Sequence, residues 1–165
     1  MTERPHNHLN SVMGRLSRLP KAWRLRGFDI AFGTFTRAYR HLGIRTVVLT
    51  PTQVEMTLKN RRRLRNHLGG IHGVICQVPA EYAAGVLVGH WVPEGSVIVV
   101  RTITASLHKP IRGDIRARAI LPESSLIPLM TQKKGELVIP VEIADETGGV
   151  PMTAQVTMAW FEKGT

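Results

Sequence analysis

The spacing of apolar residues changes three times along the chain, and each change marks a new kind of element. Leu9, Val12, Met13, Leu16 and Leu19 recur at helical spacing with Arg15 and Arg18 opposite, and Pro20 ends or kinks that segment. Ile30, Phe32, Phe35 and Tyr39 predict a second helix over Asp29–Arg40. From Gly43 the period shortens to two. Ile44–Thr50 is rich in β-branched residues and Pro51 interrupts. Val54, Met56 and Leu58 then alternate with Glu55, Thr57 and Lys59, which predicts two short strands and a turn.

The helical period returns at Val74. From there to Val88 the chain is dominated by Val, Ala, Leu, Ile and Gly, long enough for about four helical turns. Asn66 and the Gly69-Gly70 pair read as a tight turn into this helix, because glycine accepts positive φ without a Cβ penalty. Pro79 frees a backbone carbonyl one turn earlier, so a bend is expected there. Glu81 is the sole charge between Val74 and Gly89. A carboxylate in an apolar helix is costly unless it is paired or chemically useful, which makes Glu81 the first candidate for function. A pairing with an Arg, or exposure at a subunit seam, is the structural alternative.

Strand periodicity fills the rest. Pro93-Glu94-Gly95 reads as a turn, Val97–Leu107 as a long strand, and His108-Lys109-Pro110 as its break. Ile111, Gly113, Ile115, Ala117, Ala119 and Leu121 alternate with Arg112, Asp114, Arg116 and Arg118, the pattern of a half-exposed strand. Pro122–Lys134 reads as a connection holding an apolar patch at Leu126–Met130. Leu137, Ile139, Val141 and Ile143 line one face of the next strand, where Pro140 suggests an edge or a bulge. Asp145–Gly149 is a hairpin turn, and the last strand places Met152, Ala154, Val156, Met158 and Trp160 on one side. Two strands, a long apolar helix and four strands predict an α+β fold with one antiparallel sheet wrapped around the helix. The expected division is a basic helical extension over 1–42 and a body over 43–165.

Composition narrows the class. A chain of 165 residues with 43% hydrophobic and 21% charged residues suits one globular domain rather than a disordered segment. The single Cys76 excludes an internal disulfide, reads as a buried small apolar group, and suits a reducing compartment, so a cytoplasmic protein is expected. The N-terminus has no apolar signal-like run, and no uncharged apolar run reaches the roughly 18 residues of a membrane span. No metal site is expected, and His6 and His8 lack nearby ligand partners.

Charge adds a direction. Residues 1–65 hold 14 Lys and Arg against 3 Asp and Glu, whereas 66–165 hold 8 against 9, so the formal net charge of +10 resides in the N-terminal part. Such a segment attracts phosphates on nucleic acid, acidic lipid or a nucleotide-bearing ligand, or is simply a solvated basic face. The N-terminal helices could lie on a membrane surface, or pack on the body or on a partner subunit, which is the favoured expectation. The basic region carries no recognisable nucleic-acid reading motif and few aromatics for stacking, so no specific nucleic acid is expected.

The run Asn66-His67-Leu68-Gly69-Gly70-Ile71-His72-Gly73, with Glu81 nine positions after His72, resembles the motif of the hotdog-fold acyl-CoA thioesterase superfamily. The likeness is to the branch carrying Asn-x-x-Gly-x-x-His-Gly, often labelled only as a thioesterase-like domain of unknown function, and it spans about Gly43–Glu162. Val74 stands where the family often has a second glycine, and Glu81 where it more often has Asp. The resemblance implies a homodimer, or a dimer of dimers, with sites at the subunit interface. The Gly73 N–H would face the thioester oxygen, as a helix N-terminus with unpaired N–H groups can. Glu81 of the other subunit would be general base or nucleophile, Asn66 would orient substrate or water, and His72 would act or merely cap the helix.

Further candidates surround these. Gln77, four residues before Glu81, shares its helix face. Thr102 and Thr104 could line the site. Arg61, Arg62, Arg63 and Arg65, or Arg112, Arg116 and Arg118, could bind the phosphates of coenzyme A, the substrate's carrier and the one cofactor-like group expected; an acidic acyl-carrier protein would also suit them. Two alternatives stay open. A non-catalytic acyl-ligand binder is one. A hydroxyacyl dehydratase is the other, since His67 stands 14 residues before Glu81, although the Phe-Pro and Pro-Gly elements that accompany such a pair are lacking.

Overall fold

A computed structural model describes residues 5–163, apart from the side chains of Lys21, Ala22 and Glu123, so the extreme ends of the expected 1–42 and 43–165 segments lie outside it. The elements run α1 (His8–Leu16), α2 (Lys21–Phe35), α3 (Arg37–Leu42), β1 (Arg45–Leu49), β2 (Gln53–Leu58), α4 (Gly73–Gly89), β3 (Ser96–Leu107), β4 (Ile115–Ile120), α5 (Leu126–Thr131), β5 (Lys134–Asp145) and β6 (Met152–Glu162). The strands form one antiparallel sheet in the order β1-β2-β4-β5-β6-β3, wrapped around α4. This is the hotdog architecture.

Small side chains let α4 approach the sheet. Ala80, Ala83 and Ala84 on the helix, and Ala117 and Ala119 on β4, are fully buried, and Leu87, Met56, Ile139 and Val156 fill the space beside them. On β4 the alternation is as the sequence dictates: Ile115, Ala117 and Ala119 face the helix while Arg116 and Arg118 face solvent. Removing water from this apolar surface is the main force holding helix to sheet. α4 runs without a break through the buried Pro79.

Four expectations on element boundaries change. The second helix starts directly after Pro20 and divides in two, because Thr36 leaves helical backbone at φ −115°, ψ 86°. The shorter α3 then ends at Gly43, whose φ of 72° is the left-handed conformation of a helix stop. β4 begins at Ile115 rather than Ile111, because Gly113 turns the chain at φ 70° and a Cβ there would strike Glu146. The patch at Leu126–Thr131 is a short helix that buries Leu129. Pro140 lies in an interior strand with no bulge beside it; its ladder to β6 continues at Gln155, and pairing with β4 stops at Val141. The missing N–H therefore interrupts no pair.

The N-terminal helices pack on the body. Leu9, Met13 and Leu16 of α1 and Phe28 of α2 join the hydrophobic core. Buried Asp29 accepts hydrogen bonds from Tyr39 Oη (2.5 Å) and from the Thr46 N–H (3.0 Å), with Arg45 3.7 Å away, which fastens α2 and α3 to β1. Burial, and then the Asp29 bond, push the Tyr39 phenol far up from its ordinary value. No helix among the described residues is long and apolar enough to cross a membrane.

Candidate active site

The Asn66 loop is a stiff hairpin leading into α4. The Asn66 N–H donates to Gly70 O (2.8 Å), Gly69 N–H returns to Asn66 O (3.1 Å), and the Asn66 Oδ1 accepts from Leu68 N–H (2.9 Å). Gly69 sits at φ 82°, and a Cβ on Gly70 would lie 2.3 Å from the Ile111 carbonyl oxygen, so both positions require glycine. With Oδ1 engaged, the NH2 end of Asn66 is what a ligand would meet.

His72 is the N-cap of α4, and its carbonyl accepts from Ile75 and Cys76. Its exposed side chain makes no capping bond, so the N–H groups of the first turn face outward without a side-chain acceptor. Asn66, Gly73 and Leu68 border a cavity of about 230 Å³ with Leu107, His108 and Lys109 from the end of β3. Lys109 also borders the adjoining cleft with Arg112. His108 and Lys109 were legible only as a strand break; nothing in the local pattern announces that β3 delivers them to the start of α4.

Glu81 occupies a different cavity. It lies half-buried with Phe32, Tyr82, Gly85, Ile98, Val100 and Met158 around about 220 Å³. Burial alone raises its carboxyl above the ordinary value, and no Arg or Lys pairs with it among the described residues. Gln77, a turn earlier, makes no hydrogen bond to it. Within one chain Glu81 stands eight residues beyond Gly73, about 12 Å along the helix at 1.5 Å per residue. The two halves of the motif therefore do not converge in a single copy.

Other candidates divide sharply. Arg116 and Arg118 reach Glu55 on the neighbouring strand at 3.4 and 3.5 Å, on the sheet face turned away from α4. The Arg112 N–H donates to Asp145. Arg63 bonds to the His41 carbonyl oxygen and Arg65 to Asn60, while the Arg61 guanidinium lies against Gly43; Arg62 is exposed. Thr102 and Thr104 are exposed, opposite inward-facing Ile103 and Ala105, because an irregularity between Val100 and Thr102 shifts the facing of β3. His67 is exposed on the loop, away from the Glu81 cavity. Cys76 is buried, which pushes its thiol up to about 12 and leaves it inert. No three or more His, Cys, Asp or Glu side chains converge as metal ligands among the described residues.

A sheet wrapped on one long helix, with an open helix start at one end and a half-buried carboxylate further along, defines a protein of the hotdog fold. The chain belongs to the DUF4442 family, a domain of unknown function, which matches residues 27–160. Among similar solved structures, a structural-genomics target shares 25% identity at a TM-score of 0.72, covering 93% of this chain and 98% of its own. A thioesterase from Haemophilus influenzae shares 20% at 0.70, covering 86% and 92%. A thioesterase family protein from Silicibacter pomeroyi shares 16% at 0.69, covering 86% and 98%. No curated protein sequence matches the chain.

Proposed function

We propose that the protein is a thioester hydrolase acting on acyl-CoA or acyl-carrier-protein substrates, as a homodimer with two composite sites. The observation that carries this reading is Glu81: a half-buried carboxylate with no cation beside it, facing a cavity. A carboxylate raised by burial is a stronger base than a solvated one and suits proton abstraction from water. Its natural complement, the open N-terminus of α4, is about 12 Å away in the same chain and would be supplied by a second copy. β3 supports that pairing: it is an edge strand, hydrogen-bonded only to β6, with Val99 41% and Leu107 56% exposed.

In the proposed reaction a water oxygen attacks the thioester carbonyl carbon while Glu81 takes its proton. The carbonyl oxygen gains the charge and is held by the Gly73 N–H of the other copy, with the Asn66 NH2 orienting the reactants. Collapse breaks the C–S bond, and the proton on Glu81 returns to the leaving sulfur, giving a carboxylic acid and the free thiol. Lys109, at the mouth beside Gly73, is the cation best situated for the phosphates of coenzyme A, and Arg62 is an exposed second. The buried free thiol of Cys76 suits a reducing cytoplasm.

The test is thiol release from short, medium, long and aromatic acyl-CoAs, with Glu81→Gln in parallel. Turnover that falls in the variant supports hydrolysis; equal, negligible rates in both overturn it. A non-catalytic acyl binder is the second reading, favoured by the lack of a hydrogen bond from Gln77 to Glu81, and it is what would remain if both proteins bind acyl-CoA without turnover.

A further inference from the structure

Glu81, Gly85 and Gly89 stand at i, i+4 and i+8, so they lie in a row on one face of α4. The glycines leave that row without side chains. A Cβ on Gly85 would meet only Met158 at 3.6 Å, and one on Gly89 would meet Leu9 of α1 at 3.0 Å. Over this bare strip lies a cavity of about 250 Å³, roofed by Leu9 and Val12 of α1 and by Phe28, Ala31 and Phe35 of α2. It shares Phe32, Gly85 and Ile98 with the Glu81 cavity, so the two form one continuous groove that starts at the carboxylate. Every residue lining its far part is apolar except His8, whose ring packs edge-on against Phe35 at 5.8 Å.

The roof is built in. Asn7 caps α1 by accepting from Asn10 N–H (2.9 Å), and its amide donates to the carbonyl oxygens of Gly89 (3.0 Å), the last residue of α4, and of Val92 (2.8 Å), just beyond it. Asn10 donates to His90 O (2.9 Å) in the same place. These bonds satisfy carbonyls that a helix C-terminus leaves unpaired and hold α1 across the end of the groove. A roofed groove whose far part is apolar but for His8 does not suit a nucleotide or a hydroxylated group. Its continuity with Glu81 selects the apolar part of a thioester as the occupant.

We propose that α1 and α2 are the far wall of an acyl-chain channel that begins at Glu81 and ends under Leu9 and Val12, so that the protein takes apolar acyl groups long enough to reach them. The strip from Glu81 to Gly89 is about 12 Å long, which an extended chain of about nine carbons spans at about 1.3 Å per carbon. This inference rests on the carboxylate site proposed above, and its test separates the two. S-decyl-CoA and S-butyl-CoA, thioethers that cannot be hydrolysed, are titrated calorimetrically into the full chain. The decyl compound binds the parent at least about tenfold more tightly than the butyl compound, because its extra methylenes leave water. Ala31→Phe and Val12→Phe, which fill the far end from α2 and α1 separately, each cut that ratio by about tenfold.

Equal affinities in the parent, or a ratio unaltered in both folded variants, overturn the channel and leave the groove to be covered by another surface. If one variant fails to fold, the other and the parent's own ratio still decide. Chain-length selection without hydrolysis of decanoyl-CoA rejects the enzymatic reading and keeps the channel. Hydrolysis of butyryl-CoA without chain-length selection does the reverse.

Discussion

Asn7 donates a 3.0 Å hydrogen bond to the carbonyl oxygen of Gly89, joining the start of α1 to the last residue of α4. A buried side-chain amide serving two carbonyls, one at the end of α4 and one just past it, is worth more than its surface equivalent, because its loss strands polar groups away from water. Asn7→Leu is expected to cost about 2 kcal/mol of stability, read as a lower urea midpoint with an unchanged slope. Asn7→Asp, which keeps the cap acceptor but loses both donated bonds, should recover little of it.

Glu81→Gln should lower turnover by about 10²-fold or more if the carboxylate is the base. In the parent, activity should rise with pH along a limb whose midpoint lies above the ordinary carboxylate range, since the base must be ionised and burial raises its pKa. A midpoint at the value of a solvated glutamate would count against Glu81 as that base.

The same shift has a consequence for folding with the opposite sense. A carboxyl whose pKa is raised in the folded chain binds its proton more tightly there than when unfolded. Its contribution is fully present below the unfolded pKa and is lost as pH rises through the raised folded one. Glu81→Gln should therefore stabilise the protein relative to the parent at neutral pH, and the advantage should shrink as the pH falls toward the ordinary carboxylate range, as equilibrium unfolding at a series of pH values would reveal.

Mixing inactive variants tests the composite site. In a dimer, each site would take Glu81 from one copy and Asn66 with Gly73 from the other. Dissociated and reassociated mixtures of Glu81→Gln and Asn66→Ala chains should regain about a quarter of parental activity, since half the dimers are hybrid and each hybrid has one intact site. Sites built within single chains would regain none.

Asp29→Ala should destabilise the fold by on the order of 3 kcal/mol, since Tyr39 and the Thr46 N–H lose a buried acceptor together. Tyr39→Phe should cost less, because Asp29 keeps the Thr46 N–H. Thermal melts of both variants give the comparison.

Much of the fold could be read directly. The Ile115, Ala117, Ala119 alternation gave β4 its facing, and the length of the Val74–Val88 run gave α4. The split at Thr36 could not be read, because aromatic residues on both sides sustain a helical pattern straight through it. In the candidate site, Glu81 stood out by its local chemistry, whereas Asn66 and Gly73 entered through the resemblance of the Asn66–Gly73 motif. The arginines did not resolve, since whether Arg116 and Arg118 are available depends on Glu55, a partner 61 residues from Arg116 that only strand register brings near. Lys109 was hidden for the same reason, and the groove over Gly85 and Gly89 was hidden because its roof comes from another part of the chain.

The bond from Asn7 to Gly89 crosses 82 residues of sequence. During synthesis α1 leaves the ribosome long before its docking site has been made, and contacts of such wide separation form late because the loop between them must first be closed. Docking of α1 therefore has to wait until the end of α4 has been made, and only then can this segment shut the apolar groove from outside. Fusions or truncations at that end would disturb this closing step while leaving the sheet-on-helix body to assemble.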